Sequence, residues 1–230
     1  MDLSRSKIVI TGAFGALGAA VTRTVLAAGA RVACIDAAPV AQAPTGCSGA
    51  ALLGEVDLGS AATAAAAFAA AAQQLGGLSG LVNIAGGFRW ETVADGDIAT
   101  WDLMFNVNVR TAVNAVRAAL PLFQFPGARI VNISAAAAIK AAAGMGSYAA
   151  SKAGVAKLTE SLAEELKDRG ATVNAILPSI IDTLANRADM PTADFARWVK
   201  PEQVADLIVF LLSERAGAIT GASIPITGRV

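Results

Sequence analysis

The 230-residue sequence contains no histidine and only two cysteines, Cys34 and Cys47. The absence of histidine excludes Ser-His-Asp and Cys-His hydrolases, imidazole general bases and histidine-ligated zinc. Two cysteines cannot form a metal site by themselves, and Cys34, inside an apolar run, is expected to be a small buried hydrophobic residue. Acid–base chemistry must therefore use tyrosine, lysine, carboxylates or water, and no metal is expected.

Charge is also scarce, since charged residues make up 16% of the chain against about 25% in an average soluble domain. Eighteen basic and eighteen acidic residues cancel, and no cluster of lysine and arginine is present, so nucleic-acid binding is not expected. The uncharged stretch 58–88 is alanine-rich and broken by glutamine and glycine, which makes it too weakly apolar to span a bilayer. Residues 1–7 lack the apolar run of a signal peptide. We expect a cytoplasmic protein with no membrane partner.

Short apolar runs alternate with longer alanine-rich segments from end to end. The runs predict strands over 7–10, 31–35, 81–84, 129–134, 172–177 and 222–226, and the segments between them predict helices over 15–28, 61–75, 100–120, 148–169 and 201–212. Apolar strands separated by helices are typical of a parallel sheet covered on both faces. We therefore expect an α/β protein with a single doubly wound parallel sheet of about seven strands, spanning residues 1–230.

A glycine-rich turn follows the first predicted strand and opens the next helix. It contains Gly12, Phe14, Gly15, Ala16, Leu17 and Gly18. Backbone N–H groups at such a helix start bind pyrophosphate, and the missing side chains allow close approach, so the domain is expected to be of the Rossmann type. Asp36 ends the second strand, where a carboxylate can bind ribose hydroxyls and repel a 2′-phosphate. No basic residue lies within the turn, which favours NAD over NADP.

Tyr148 and Lys152 lie four residues apart on one predicted helix and so share a face. A lysine ammonium close to a phenol favours the phenolate, so we expect the pKa of Tyr148 to fall from about 10 toward neutrality. A tyrosine tuned in this way serves as a general acid or base. By itself this pair of residues is a weak signal, and a solvated helix face is the better interpretation.

The surrounding motifs favour a functional interpretation of Tyr148 and Lys152. They are the turn at 11–18, Asp57, Leu81-Val82-Asn83-Ile84-Ala85-Gly86, Asn108, Ile133-Ser134, Tyr148-Ala149-Ala150-Ser151-Lys152 and Val173-Asn174-Ala175-Ile176-Leu177-Pro178. In this order and over essentially the whole length, they resemble the short-chain dehydrogenase/reductase family.

The resemblance implies a role for each matched residue. Tyr148 would donate or accept the proton and contact the cofactor, Lys152 would bind the nicotinamide ribose, and Asn108 would anchor a water relay. Asp57 would contact the adenine, and the segment Asn83, Ile84, Ala85 and Gly86 would stabilise the sheet beside the cofactor. Pro178, Ile181 and Thr183, at and after the sixth strand, would lie against the nicotinamide, with Ile181 and Thr183 holding its carboxamide. A short substrate loop is expected at about 183–200.

Three positions depart from the family pattern. The middle glycine of the turn is Ala16, with Gly15 one residue earlier, and the second asparagine of the Asn-Asn-Ala-Gly motif is Ile84. The usual serine, whose hydroxyl polarises the substrate carbonyl, corresponds to Ala135. Ser134 is one residue short and should point to the other face of its strand. The sequence therefore predicts that this hydroxyl is missing.

Within the family, the departures are similar to those of a dihydropteridine reductase-like branch. The matching residues are Gly15 to Gly18, Ala85-Gly86-Gly87, Ala135, Gly144-Met145, Asp182-Thr183, Asn186-Arg187, Met190-Pro191, Ala193-Asp194-Phe195 and Trp198. This resemblance implies a small, flat, conjugated substrate such as a quinonoid dihydropteridine. Phe88, Trp90, Met145, Met190, Phe195 and Trp198 could line an apolar pocket beside the nicotinamide.

Two other functions stay open at this stage. One is an ordinary alcohol or ketone dehydrogenase in which Ser134 or a backbone group replaces the missing serine. The other is a catalytically weak NAD-binding sensor or scaffold. The resemblance also implies a homodimer or homotetramer, because family members pair through the two long helices predicted at 100–120 and 148–169.

Overall fold

The computed structural model describes residues 1–230 and contains one seven-stranded, fully parallel sheet. The strands are β1 (Lys7–Thr11), β2 (Arg31–Ile35), β3 (Ala51–Leu53), β4 (Gly80–Asn83), β5 (Arg129–Ile133), β6 (Thr172–Pro178) and β7 (Ser223–Ile226). Their order in the sheet is β3-β2-β1-β4-β5-β6-β7. Strands β2 and β3 are thus added on one side of β1, and strands β4 to β7 are added on the other side.

Seven α-helices cover the two faces of the sheet. They are α1 (Ala16–Ala27), α2 (Ala61–Leu75), α3 (Ile98–Met104), α4 (Thr111–Ala119), α5 (Gly146–Leu166), α6 (Leu184–Asp189) and α7 (Pro201–Leu212). Helices α1 and α7 pack together on one face, and α2, α4 and α5 cover the other. None of the helices has both the length and the apolar character needed to cross a membrane.

Side-chain alternation along β1 divides the core into two halves. Ile8 and Ile10 pack with Val21 of α1 and Ile208 of α7, whereas Val9 packs on the opposite face. Both faces of the central strands are thus buried, as parallel sheets require. Cys34 is fully buried in the first of these halves, which confirms its predicted role as a small hydrophobic residue.

A chain of buried side-chain hydrogen bonds crosses the centre of this apolar sheet. The Thr11 hydroxyl donates to Asn83 Oδ1 over 3.4 Å, and Asn83 Nδ2 donates to Asn132 Oδ1 over 2.9 Å. Asn132 Nδ2 then donates to the Thr159 hydroxyl of α5 over 2.8 Å. The chain joins β1, β4, β5 and α5 at the end of the sheet where the loops carry the functional residues.

The predicted fold class is confirmed, and two helices and one strand have the predicted bounds. The sequence analysis missed the short strand β3 and the short helix α6, and the helix predicted over 100–120 is interrupted. Asp97 caps α3 by accepting the N–H of Ala99, after which the six residues Phe105–Arg110 form a π-helical segment before α4 begins. This wider turn changes the direction in which the side chains at 106–108 point.

Candidate active site

A cavity of about 700 Å³ lies at the carboxyl edge of the sheet, between the loops that follow β1, β2 and β4. This is the place where the strand order reverses, which is where open α/β sheets bind ligands. The predicted residues that line it are Gly12, Gly15, Ala16, Leu17, Gly18, Asp36, Asp57, Ala85, Gly86 and Thr183. A cavity of this size and position can hold an extended small molecule.

The glycine-rich turn forms one end of the cavity. Gly12 has a φ of +65°, and a Cβ there would lie 2.7 Å from the backbone nitrogen of Ala85, so only glycine fits. Gly15 is the N-cap of α1, which begins at Ala16, and no side chain caps the helix. The first N–H groups of α1 are therefore available to an anion in the cavity.

Asp36 is held at the mouth of the turn by two backbone hydrogen bonds. Its Oδ2 accepts from Phe14 N over 2.8 Å and its Oδ1 from Ala38 N over 2.9 Å. The other acidic residue of the lining, Asp57, accepts from Gly59 N over 2.8 Å. No lysine or arginine lines the cavity. The electrostatic character of this end is thus negative, apart from the N-terminus of α1.

Tyr148 and Lys152 lie on the first turns of α5, close to the inner end of the cavity. Lys152 is buried and its Nζ donates to the carbonyl of Ile133 over 3.0 Å. A Cβ at Gly86, which lines the cavity, would lie 3.2 Å from this Nζ. The Tyr148 ring lies 6.0 Å from the same nitrogen and meets Phe88 edge-on, with ring centroids 4.9 Å apart.

The pKa of Tyr148 does not shift in the predicted direction. Burial raises the pKa of Tyr148 to about 12 and lowers the pKa of Lys152 to about 8. Both shifts have one cause, because burial disfavours the charged form of each group. The prediction of a lowered tyrosine pKa is wrong here, since the ammonium bonds to a backbone carbonyl rather than to the phenol. The phenol is protonated at neutral pH.

Asn108 is buried in the π-helical segment and connects two parts of the site. Its amide nitrogen donates to the carbonyl of Gly87 and to the hydroxyl of Ser151, each over 3.0 Å. Its amide oxygen accepts from Gly87 N, also over 3.0 Å. Ser151 in turn donates to the carbonyl of Tyr148 over 2.7 Å. Asn108 therefore fixes the loop after β4 relative to the turn of α5 that carries Tyr148 and Lys152.

The residues at the end of β5 follow the predicted alternation. Ser134 is buried and its hydroxyl donates to the backbone carbonyl of Lys152 over 2.7 Å. Ala135 is buried as well and has an extended backbone, with φ −159° and ψ 155°. The serine hydroxyl is thus already used within the fold, and the next position carries no polar group.

The start of helix α6 forms part of the cavity lining. Thr183 caps it by accepting the N–H of Asn186 over 3.2 Å, and Thr183, Leu184 and Ala185 all line the cavity. Arg187 forms a two-point ion pair with Asp182, at 2.5 Å and 2.8 Å, and its guanidinium stands 4.8 Å from the centroid of the Phe195 ring. These contacts hold the short helix against the residues that precede and follow it.

Some predicted residues do not reach the cavity. Tyr148, Lys152, Asn108, Pro178 and Ile181 are not among the residues that line it, and Ile181 instead pairs with Val199. Phe14 contributes its N–H to Asp36 rather than its ring, and Asn83 is engaged in the buried hydrogen-bond chain. Trp198 is buried against Phe195, with ring centroids 4.8 Å apart, so it is not an open wall of a substrate pocket.

Part of the cavity lining comes from the middle of the long helical region and was not predicted from the sequence. Asn106, Val107 and Thr111 line the cavity. In the regular helix expected over 100–120, these residues and Asn108 would not be predicted to lie at the same site. The π-helical segment places them there by adding a residue to the turn, and such segments are frequent at functional sites.

Comparisons with known proteins agree on one family. A sequence model described as "Enoyl-(Acyl carrier protein) reductase" matches residues 12–228. The chain is 32% identical to 2-(S)-hydroxypropyl-CoM dehydrogenase 3 of Xanthobacter autotrophicus, covering 98% of this chain and 96% of that one. These matches span the glycine-rich turn, the cavity and the whole of α5.

Solved structures give the same result. A short-chain dehydrogenase of Burkholderia cenocepacia in complex with NADP is 32% identical, has a TM-score of 0.91 and covers 99% of this chain and 98% of its own. A short-chain oxidoreductase of Pseudomonas aeruginosa, described as containing an atypical catalytic centre, is 28% identical with the same TM-score and the same coverage. With its parallel sheet, its glycine-rich turn and its Tyr148–Lys152 pair, the chain belongs to the short-chain dehydrogenase/reductase family of oxidoreductases.

Proposed function

We propose that this protein is an NAD(H)-dependent oxidoreductase that transfers hydride between nicotinamide and a small conjugated or carbonyl substrate. The observation that carries the proposal is the position of the Lys152 ammonium next to Gly86, a residue that lines the cavity beginning at the glycine-rich turn. The cavity offers N–H groups and a carboxylate that can bind a ribose, and the protonated phenol of Tyr148 lies on the same helix as Lys152.

The residues of the cavity fit a nicotinamide dinucleotide. Gly12 allows the close backbone approach that a pyrophosphate needs, and α1 directs its first N–H groups to the same place. Asp36 and Asp57 are placed to bind the adenosine half. Thr183, on the far side, offers a hydroxyl to the nicotinamide half. The bound cofactor would supply or accept the hydride.

Tyr148 is proposed as the proton donor when a substrate is reduced. Because burial raises the pKa of Tyr148 to about 12, the phenol holds its proton at neutral pH and delivers it only as negative charge develops beside it. Lys152, fixed by Ile133, would bind the nicotinamide ribose and stabilise the phenolate formed. Asn108 would hold Tyr148 through Ser151 and anchor the water relay that returns the proton.

The preference for NAD(H) over NADP(H) rests on Asp36. Its carboxylate is fixed by two N–H groups at the point where a 2′-phosphate would lie, and the cavity has no basic residue to compensate for the repulsion. A solved relative is in complex with NADP, so family membership leaves the choice open, and the support for NAD(H) comes from Asp36 and the lining of the cavity. Dissociation constants for NADH and NADPH test this point, and tighter binding of NADPH would contradict it.

The substrate is proposed to be a flat conjugated acceptor, with a quinonoid dihydropteridine as the first candidate. Ala135 offers no hydroxyl to a developing alkoxide, and the hydroxyl of Ser134 is bonded to Lys152. An ordinary ketone needs such a donor because negative charge builds on one oxygen. A quinonoid pterin needs it less, because the charge spreads over several heteroatoms as the ring system regains its conjugation.

A second candidate is an ordinary alcohol or ketone dehydrogenase. It is favoured by the relative from Xanthobacter autotrophicus, which is a 2-(S)-hydroxypropyl-CoM dehydrogenase and matches along almost the whole chain. In this case a backbone N–H would replace the absent serine. A protein that binds NAD(H) without turning over either substrate would instead be a sensor or scaffold.

One experiment separates the three functions. NADH oxidation is followed with quinonoid 6,7-dimethyldihydropterin and with a panel of aliphatic ketones, using the Tyr148→Phe variant as the control for enzymatic turnover. We expect turnover of the dihydropterin that depends on Tyr148, and little turnover of the ketones. Turnover of ketones alone would support the second candidate, and NADH binding without any turnover would support the third.

We also propose that the protein forms a homodimer or homotetramer through α3, α4 and α5. Ile98, Trp101 and Leu103 of α3, together with Phe105, expose large apolar side chains. Exposed apolar patches of this kind mark association surfaces. Light scattering during size-exclusion chromatography tests the proposal, and a monomer at micromolar concentration would contradict it.

A further inference from the structure

Trp90 is both exposed and fixed, a combination that ordinary surface residues do not show. Its residue surface is 61% exposed, yet its indole Nε1 donates to the carbonyl of Ala143 over 3.1 Å. The next residue, Glu91, donates its N–H to the carbonyl of Gly144 over 2.8 Å. The segment around Trp90 is thus tied to the loop that leads into α5.

Gly144 explains how the indole is seated. It has a φ of +74°, and a Cβ at this position would overlap three atoms of the indole ring, namely Nε1, Cε2 and Cδ2. The ring therefore lies directly against the backbone of Gly144, where any other residue would displace it. Most of the residue surface stays exposed beside this contact.

The location of Trp90 relates this surface to the reaction centre. Gly144 lies two residues before the start of α5, and Tyr148 is on the first turn of that helix. Phe88, two residues before Trp90, packs edge-on against the Tyr148 ring. The loop after β4 therefore places two aromatic side chains at the rim of the site, one against the phenol and one against the glycine that precedes it.

We propose that Trp90 is a preformed stacking surface that binds the planar ring of a heteroaromatic substrate beside Tyr148, and that Gly144 is the residue that positions it. This inference rests on the proposed function and identifies a residue that determines its substrate class. An indole that is already immobilised loses little conformational entropy when a ring stacks on it. Stacking on its face selects flat ligands over aliphatic ones because only a planar ring makes the full contact.

Trp101 provides the comparison within the same chain. It is also partly exposed, at 38%, but it lies on α3 and no indole hydrogen bond holds it. The Trp101 ring lies near Gly146 at the start of α5, so the two indoles differ in the hydrogen bond that fixes Trp90 alone. Replacement of each tryptophan by phenylalanine is thus a matched pair of changes.

The test is a double-mutant cycle read by calorimetric titration of pterin, an unreactive planar probe, into the full-length protein saturated with NADH. Trp90→Ala should weaken pterin binding roughly 2- to 12-fold, the range expected for loss of one aromatic pair. Gly144→Ala should weaken it similarly by displacing the indole. The double variant should bind like Trp90→Ala alone, because Gly144 acts only through the indole. Trp101→Phe should leave the affinity unchanged.

Several results would overturn the role of Trp90. They are unchanged pterin affinity in Trp90→Ala, equal losses in Trp90→Phe and Trp101→Phe, or additive losses from Trp90→Ala and Gly144→Ala. If Gly144→Ala does not fold, the two phenylalanine variants still decide between the outcomes. Failure of the unmodified protein to bind NADH would instead count against the proposed function, which is why NADH affinity is measured in every variant.

Discussion

The hydroxyl of Ser134 donates to the backbone carbonyl of Lys152 over a distance of 2.7 Å. This bond connects the end of β5 to the second turn of α5. It therefore helps to fix the position of Lys152 relative to the sheet. It also removes the nearest serine hydroxyl from the substrate side of the strand. The next residue, Ala135, has only a methyl group where most family members have the serine that polarises a carbonyl.

Restoring that serine should change the substrate preference. A hydroxyl bonded to a developing alkoxide contributes about 1–3 kcal/mol, or roughly 10- to 150-fold in rate. Ala135→Ser should therefore raise kcat/KM for aliphatic ketones more than it raises kcat/KM for quinonoid dihydropterin. The measurement compares both substrates in both proteins. Rapid turnover of ketones by the unmodified protein, unaffected by the serine, would show that another donor already has this role.

Removal of the Tyr148 hydroxyl should abolish most of the proton transfer. Tyr148→Phe is expected to lower turnover by at least ~10²-fold while NADH binding persists, because the phenol donates the proton and Lys152 still binds the nicotinamide ribose. Lys152→Ala should lower both turnover and NADH affinity, since Lys152 has two roles. Stopped-flow kinetics and fluorescence titration of NADH distinguish the two variants. Near-full activity in Tyr148→Phe would assign the proton to water or to the substrate.

Neutralising Asp36 should relax the choice of cofactor. Asp36→Ala removes the carboxylate that binds the ribose hydroxyls and repels a 2′-phosphate, so NADH should bind more weakly and NADPH more tightly. Asp57→Asn is the matched control, because it removes a second negative charge from the same cavity and should affect both cofactors alike. The ratio of the two dissociation constants is the measured quantity. An unchanged ratio in Asp36→Ala would contradict the assignment.

Burial of Lys152 should make stability depend on pH. The pKa of Lys152 is lowered from 10.5 to about 8, so between these values the folded chain has released a proton that the unfolded chain still holds. The free energy of unfolding should therefore rise with pH across this window, and below pH 8 the cost of the buried ammonium is fully present. Lys152→Met should be more stable than the unmodified protein by about 3 kcal/mol near pH 7.

The stability difference between Lys152→Met and the unmodified protein should decrease toward zero by pH 10.5. Urea unfolding at several pH values measures it. Lys157→Met, on the exposed side of the same helix, is the control for replacing a lysine of α5 by methionine. A constant difference between pH 7 and pH 10.5 would mean that Lys152 keeps an ordinary pKa.

The ion pair between Asp182 and Arg187 should affect cofactor affinity. It holds α6, whose first residues cover the cavity, so Arg187→Met should raise the KM for NADH roughly 2- to 5-fold, as expected for losing one exposed ion pair. The kcat should change less, because Tyr148 lies on another helix. Arg23→Met breaks a more exposed ion pair, which joins α1 to Glu202 of α7 and does not involve α6, and should leave KM unchanged. An equal rise in the KM for NADH in Arg187→Met and Arg23→Met would contradict a role for the ion pair of α6 in cofactor binding.

The sequence predicts best where local pattern and local structure coincide. The alanine-rich α2 and the proline-initiated α7 have the predicted bounds, because helix propensity and an N-terminal proline act within a few residues. Strand β3 was missed because three half-buried residues at the sheet edge carry no periodicity. Its pairing with β2 is a tertiary interaction that only the folded sheet supplies.

The sequence indicates several residues that line the cavity but not the electrostatics around them. Asp36 and the glycine-rich turn follow from spacing along the chain, whereas the hydrogen bond from Phe14 N to Asp36 depends on how two loops meet. The pKa of Tyr148 depends on burial by segments distant in sequence, which a helical spacing of four residues cannot reveal. The π-helical turn at Asn108 is likewise set by bonds to Gly87 and Ser151 rather than by local propensity.

The buried amide pair of Asn83 and Asn132 bears on how the sheet assembles. The other residues that face each other across β4 and β5 include Leu81 with Ile130 and Val82 with Val131, and aliphatic pairs of this kind tolerate sliding. A slip of two residues would preserve the inward and outward pattern but would leave the buried Asn83 Nδ2 and Asn132 Oδ1 without their present partner, at about 1–3 kcal/mol each. The two asparagines thus favour one register of β4 against β5. They discriminate between strand pairings that hydrophobic collapse alone would treat as equivalent.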